Sequence, residues 1–263
     1  MKKYFKILEY EIKSAFSYIS NVFYEYIGFL IHIFIFLNLW KYIYSDSSSL
    51  IQGYSFTQMI WYVIITEILW SSLGGKRLVK DISKSIKSGD VVYNLTRPID
   101  YILYNLFSHL GLVLTRLILY FALGLITGYI FLGKFVQINI VSLILVFITM
   151  ILATIISLLT MILIGEISFF IEDANPIYWI YSKIILIFGT IFPIELFGKF
   201  IQKLLKYSPV YVLAYGPAKL FVHFNYIDFI KLFGFQILYI GVIYFIALKI
   251  YKKGVRKLNV NGG

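Results

Sequence analysis

Residues 135–165 read FVQINIVSLILVFITMILATIISLLTMILIG, without one Asp, Glu, Lys, Arg or His. Wound as a helix at 1.5 Å per residue, ~20 of these residues already cross the ~30 Å hydrocarbon core of a bilayer. In a soluble domain such a run must be covered on every side, and the rest of the chain lacks the polar surface to do so. Of 263 residues, 60% are hydrophobic and only 14% charged, against roughly 45–50% and about 25% in an ordinary soluble domain. The 24 Lys and Arg exceed the 13 Asp and Glu by a net +11, a surplus that would suit nucleic acid. However, 24 Phe and 23 Tyr set in long uncharged runs point to lipid instead. The absence of cysteine excludes a disulfide framework, a thiolate zinc site and a Cys nucleophile. Strands of alternating polarity, which a membrane barrel needs, are missing. The fold class is an all-α polytopic membrane protein, with length for about five to seven spans and no room for a nucleotide-binding domain.

Working outward from 140–164, we read six spans, at 22–43, 54–73, 111–132, 140–164, 176–197 and 232–248. A seventh through 199–222 is interrupted by Lys199, Lys203, Lys206 and Lys219. Orientation follows the positive charges. One side holds Lys2, Lys3, Lys6 and Lys13, then Lys76, Arg77, Lys80, Lys84, Lys87 and Arg97, then Lys249, Lys252, Lys253, Arg256 and Lys257. The other side holds Lys41, Lys134, Lys199, Lys203, Lys206, Lys219 and Lys231. The richer side is expected to be cytoplasmic and to hold both termini, although the loop 166–175 on that side carries Glu166, Glu172 and Asp173 and no cation. The first span is expected to serve as an uncleaved insertion signal. The Lys-, Ile- and Asn-rich usage suits an AT-rich prokaryotic genome, so the expected location is a prokaryotic cell (inner) membrane, multi-pass.

Three segments are helical in pattern but not spanning. Residues 1–20 precede the 21–263 transmembrane domain and form an amphipathic interfacial helix, with Tyr4, Phe5, Leu8, Ile12, Ala15, Phe16 and Ile19 opposite Lys6, Glu9, Lys13, Ser17 and Ser20. A short cytoplasmic helix at about 76–88 repeats Leu78, Ile82 and Ile86 among Arg77, Lys80, Lys84 and Lys87. An apolar stripe with a basic rim fits a groove on another protein and equally an inner-leaflet surface. Residues 199–231 alternate Phe200, Ile201, Leu204 and Leu205 with lysines, then break at Ser208-Pro209 and Tyr215-Gly216-Pro217. Two short helices entering the outer leaflet without crossing it fit that pattern, with protein or water satisfying the broken backbone.

Catalytic patterns are absent. There is no G-x-x-x-x-G-K-[ST] loop, no H-E-x-x-H, no G-x-S-x-G elbow, and no paired Asp-rich magnesium motif. His32, His109 and His223 are far apart in the chain, so no metal site is expected. Ionisable residues within spans are costly and mark partners or cavities. Glu25, Glu67, Arg116 and Lys183 qualify, with Glu195 near an outer edge. A Glu67–Arg116 salt bridge between the second and third spans is expected, as register device or as part of a pathway. Lys183 can snorkel, and His32 reads as hydrogen-bonded in a helix interface rather than as a ligand. Gly124 and Gly128 offer a flat packing surface, within the bundle or across a dimer.

This arrangement resembles the ABC-2 type permeases of bacterial ABC exporters, in particular the subfamily often encoded as two permeases with one ATPase. The stretch Ser88-Gly89-Asp90-Val91-Val92-Tyr93-Asn94-Leu95-Thr96-Arg97-Pro98 is similar to that subfamily's "SGD…L.RP", with Thr96 standing where an apolar residue is common. Residues 169–173 with Tyr178-Trp179-Ile180-Tyr181-Ser182-Lys183, the FPIELF of 192–197 and the YGPAKLF of 215–221 look like the same group. The resemblance implies a half-transporter that pairs with a second permease, identical or not, and with two separate ABC ATPase subunits. Those ATPases hold ATP-Mg, while this chain binds no cofactor and no nucleic acid and does no chemistry itself. Arg77, Leu78, Asp81, Ile82, Lys84, Ile86 and Lys87 would match the coupling helix that enters the ATPase groove. Residues 199–224 would match outer re-entrant helices capping the exit. Two other readings stand beside it. An ion-coupled secondary transporter would show internal repeats, and no convincing repeat relates 1–130 to 131–263; a non-transporting membrane scaffold is the third.

Overall fold

The computed structural model describes residues 2–17, 19–44, 50–91 and 99–261. Among these the chain is helical and has no strand, with one isolated bridge between Ile51 and Tyr54. The helices are α1 (Lys2–Ser17), α2 (Ile19–Ile43), α3 (Phe56–Ser72), α4 (Arg77–Lys87), α5 (Tyr101–Leu132), α6 (Ile140–Glu166), α7 (Asn175–Ile185), α8 (Lys199–Lys206), α9 (Gly216–Val222) and α10 (Tyr226–Asn261). Of the stretch that resembles SGD…L.RP, residues 92–98 lie outside the described residues.

Local chemistry sets several of the helix starts. Ser55 accepts from the Gln58 backbone N–H while the Gln58 side chain accepts from the Ser55 N–H, a reciprocal cap on α3. Asp100 accepts from the Leu103 N–H at 2.8 Å and Asn139 from the Ser142 N–H at 2.7 Å, opening α5 and α6.

Four segments among the described residues are long and apolar enough to cross a bilayer: Val22–Ile43, Tyr101–Leu132, Ile140–Phe169 and Tyr226–Lys257. The expected second span is the 17-residue α3, whose residues from Met59 to Leu69 are all buried, so it forms the centre of the bundle. It packs on α2, α5 and α9; α6 packs on α10 and α4, and α1 lies along α5. α2 and α10 form the outside, exposing Phe23, Ile27, Ile31 and Phe34 on one and Phe233, Ile237 and Phe245 on the other. The third and sixth expected spans are parts of longer helices, α5 and α10. Asp100 caps α5, which starts ten residues before 111–132 and ends with it, and α10 extends beyond 232–248 at both ends, from Tyr226 to Asn261.

The expected fifth span, 176–197, is not one helix. α7 gives way to a π-helical segment, Leu186–Ile191, then Phe192 is extended and Ile194–Leu196 forms a 3-10 turn. Backbone groups freed at such a break must find partners in a membrane. The Tyr62 hydroxyl donates to the Gly189 carbonyl at 2.6 Å, and the Thr66 hydroxyl lies 3.0 Å from the Thr190 carbonyl, both from buried positions on α3. A second π-helical segment, Tyr211–Tyr215, is held likewise. Gln236 Nε2 of α10 donates to the carbonyls of Val212 and Thr149, each at 2.9 Å. Hydropathy counts residues, so it reads the apolar 176–197 as continuous. The break depends on polar side chains from other helices.

α1 is docked on α5 by one face. Tyr4 and Ala15 are buried, Leu8 packs against the core, and the Tyr4 hydroxyl accepts from the Asp100 N–H at 2.9 Å. Phe5 and Phe16 remain exposed, and Lys13 pairs with Glu9 at 2.6 Å.

Candidate functional site

α4 stands at the end of the bundle that gathers the C-terminal ends of α3, α6 and α10. The chain enters it through Gly74 and Gly75, both left-handed at φ +66° and +73°, a conformation that strains residues with a Cβ. At its other end Lys84 and Lys87 complement the helix dipole, and Gly89, at φ +78°, follows the Ser88 cap. Eleven residues are too few for a stable isolated helix, and α4 is instead anchored by one face. Leu78, Val79, Ile82 and Ile86 are buried against α6, and Ser83 Oγ lies 2.7 Å from Ser168 Oγ.

That anchoring corrects one expectation. The stripe Leu78, Ile82 and Ile86 is not available to a partner groove, because its own chain's α6 occupies it. Facing outward are Arg77, Lys80, Asp81, Lys84 and Lys87. Arg77 and Asp81 lie 3.8 Å apart on adjacent turns. Periodicity identifies an apolar face but not what covers it. Next to α4 a cleft of about 580 Å³ is lined by Ile86, Lys87, residues 168–172 and Lys257. Lys257 lies over the Phe170 ring at 5.6 Å, and Lys252, Lys253 and Arg256 on α10 are exposed.

The intramembrane charges also pair differently from expectation. Arg116 Nη2 donates to Glu25 Oε1 at 2.9 Å, whereas Glu67 meets His32 Nδ1 at 2.8 Å and accepts from Ser71 Oγ at 3.3 Å. The expected Glu67–Arg116 bridge is therefore replaced by two pairs that both end on α2. Glu25 and His32 are seven residues apart, two turns on one helix face. The Arg116 guanidinium lies under the α3–α4 turn, where a Cβ on Gly74 would come 2.0 Å from Nη1. His32 is hydrogen-bonded in a helix interface, as its sequence context indicates. Lys183 is exposed on α7 with its Nζ 5.9 Å from the Trp179 ring centroid. Gly124 and Gly128 pack within the bundle, against Ile68 and Trp61 of α3.

Glu195 lies in the 3-10 turn that follows the π-helical break, and organises the opposite end of the molecule. It accepts from Lys219 Nζ at 2.8 Å, from Tyr54 at 3.3 Å and from the Tyr215 hydroxyl. Gln202 donates to the Glu195 and Phe197 backbone carbonyls at 3.1 and 2.8 Å, so α9 and the α2–α3 connection meet at the Glu195 carboxylate while α8 is tied to its backbone. Burial pushes the Glu195 carboxyl up, but Lys219 and Tyr215 outweigh that and hold it below its ordinary value.

One buried group escapes a sequence reading. Glu166, which hydropathy assigns to a loop, is fully buried at the C-terminal end of α6, and neither carboxylate oxygen has a hydrogen-bond partner among the described residues. Its only signal in the sequence is its place as the first charge after 31 uncharged residues.

Long apolar helices around a buried central helix, with charge confined to the ends and to a few pairs, define an integral membrane protein. The chain belongs to the ABC-2 family of transporters: the family model described as "ABC-2 family transporter protein" matches residues 29–262. No match is found among curated proteins. Members of this family are permease components of ABC transporters, which work with ABC ATPase subunits and are not themselves the catalytic part.

Proposed function

We propose that this chain is the membrane half of an ATP-driven exporter and that its ATPase docks on the outward, basic face of α4. The supporting observation is the two-faced attachment of that helix. Its apolar side is fixed to α6 at Ile82 and Gly165, and its first residue follows α3 by a short glycine turn. A push on the charged side is therefore passed to two bundle helices at once. Arg77, Lys84 and Lys87, with Asp81 among them, are the groups that meet the partner; Leu78, Ile82 and Ile86 transmit the load inward.

In this reading two permeases, identical or paralogous, enclose the path, and two separate ATPases carry ATP-Mg. The α4 end is cytoplasmic, in agreement with the Lys and Arg asymmetry, so both termini lie inside a prokaryotic inner membrane. The helices α8 and α9, tied together through Glu195, cap the exit. The test is co-purification of the full chain with its ATPase after charge reversal, R77E/K84E/K87E. The triple variant is expected in the membrane at normal level without the ATPase. Retention of the ATPase at full stoichiometry overturns the assignment of this face.

A further inference from the structure

At the end of the bundle opposite α4 a cleft of about 470 Å³ opens between the C-terminus of α8, the 211–215 segment, α9 and the first turns of α10. One wall is a connected series of rings. Tyr207 and Tyr211 each meet Phe235 edge-on, with centroids 6.4 and 6.1 Å apart, and Tyr211 leads to Tyr215 at 5.7 Å. Three lysines, Lys206, Lys219 and Lys231, line the same cleft, with Asp228 as its one lining carboxylate. Lys219 is fixed by its bond to Glu195 and lies over the Tyr215 ring at 5.4 Å. Lys206 and Lys231 are exposed, and neither makes an ion pair among the described residues. With Lys219 neutralised by Glu195, two free cations face Asp228, a surplus of one positive charge.

The geometry points to a binding site for the phosphate-bearing headgroup of an amphiphile. Several phosphate oxygens can accept charge-assisted bonds from more than one ammonium group at once. A tail attached to that headgroup has an apolar surface ready for it. The rings of Tyr207, Tyr211 and Phe235, with Leu220 and Leu232, line the cleft beside Lys206 and Lys231. Asp228 faces the same ligand with the wrong sign, so it limits the affinity and favours headgroups that also carry a hydroxyl or an amine.

In the permease reading this cleft lies on the exit side of the path, but binding needs no ATPase, and the two readings fail separately. The test is calorimetric titration of the full chain, in a neutral maltoside detergent and without ATPase, using dihexanoyl phosphatidate as probe. Dihexanoylglycerol and inorganic phosphate are the comparison arms. Phosphatidate is expected to bind, and dihexanoylglycerol is not. K206Q/K231Q weakens phosphatidate by about tenfold, as two exposed ion pairs would, while D228N tightens it by about threefold. Opposite signs from neighbouring neutralisations cannot come from a general loss of structure. Equal affinity in K206Q/K231Q and the unmodified chain overturns the site. Inorganic phosphate binding as tightly as phosphatidate assigns the lysines to a soluble anion and overturns the amphiphile.

Discussion

A Cβ on Gly165 would lie 2.8 Å from the Cβ of Ile82, so α4 and α6 touch where one residue has no side chain. Contact this close joins the surface helix to the bundle without slack. Gly165→Val is expected to force α4 off α6, with an overpacking cost of about 1–3 kcal/mol. It should lower the melting temperature in detergent and loosen the ATPase even though every outward charge is kept. An unchanged melting temperature would mean that α4 shifts freely on α6.

The same contact changes what an Ile82→Asp variant reports. With Ile82 buried, an Asp there places a carboxylate in the α4–α6 interface, a loss of at least about 2 kcal/mol. Lower expression and a lowered melting temperature are expected, whereas R77E/K84E/K87E should leave both intact. Thermal melts of the two variants side by side separate internal packing from docking.

Tyr62→Phe removes the hydrogen bond that satisfies the Gly189 carbonyl in the broken fifth segment, and nothing else. The expected cost is about 1–3 kcal/mol, the range for a buried acceptor left alone. Hydrogen exchange should rise at residues 186–191 first. Equal exchange in the variant and the unmodified chain would show that the π-helical segment holds without α3.

Glu166 is buried with both oxygens unpartnered, so removing the carboxyl should help the fold. Glu166→Leu is expected to raise the melting temperature, and Glu166→Gln to change it by less. A drop for both would mean that this carboxyl gains a partner in another conformation of the transporter.

The Glu195–Lys219 pair gives a pH dependence of defined sign. Because the carboxyl is held below its ordinary value, its stabilisation is present above about pH 4.3 and is lost as the pH falls through the depressed pKa. The melting temperature should therefore drop on acidification below that range, and Glu195→Gln should be less stable at neutral pH and lack this part of the drop. Parallel pH curves for the two proteins would count against the pair.

By itself the sequence determined the class, the helices and their polarity. Residues 135–165 carry no charge, Gly89 and Gly133 follow the ends of α4 and α5 at φ +78° and +67°, and Asp100 and Asn139 start α5 and α6; these are local properties, set by hydration and by neighbours in the chain. The tertiary structure decided which groups meet. Arg116 turned to Glu25 rather than Glu67, because α2 brings Glu25 and His32 to the two sites on one face. The Leu78, Ile82 and Ile86 stripe turned inward, because Gly165 leaves room for it on α6. The apolar run 176–197 broke, because Tyr62 and Thr66 on a helix more than a hundred residues earlier accept the cost of its freed carbonyls. Periodicity and hydropathy describe one helix at a time. A pairing depends on the distance between two helices, which packing alone sets.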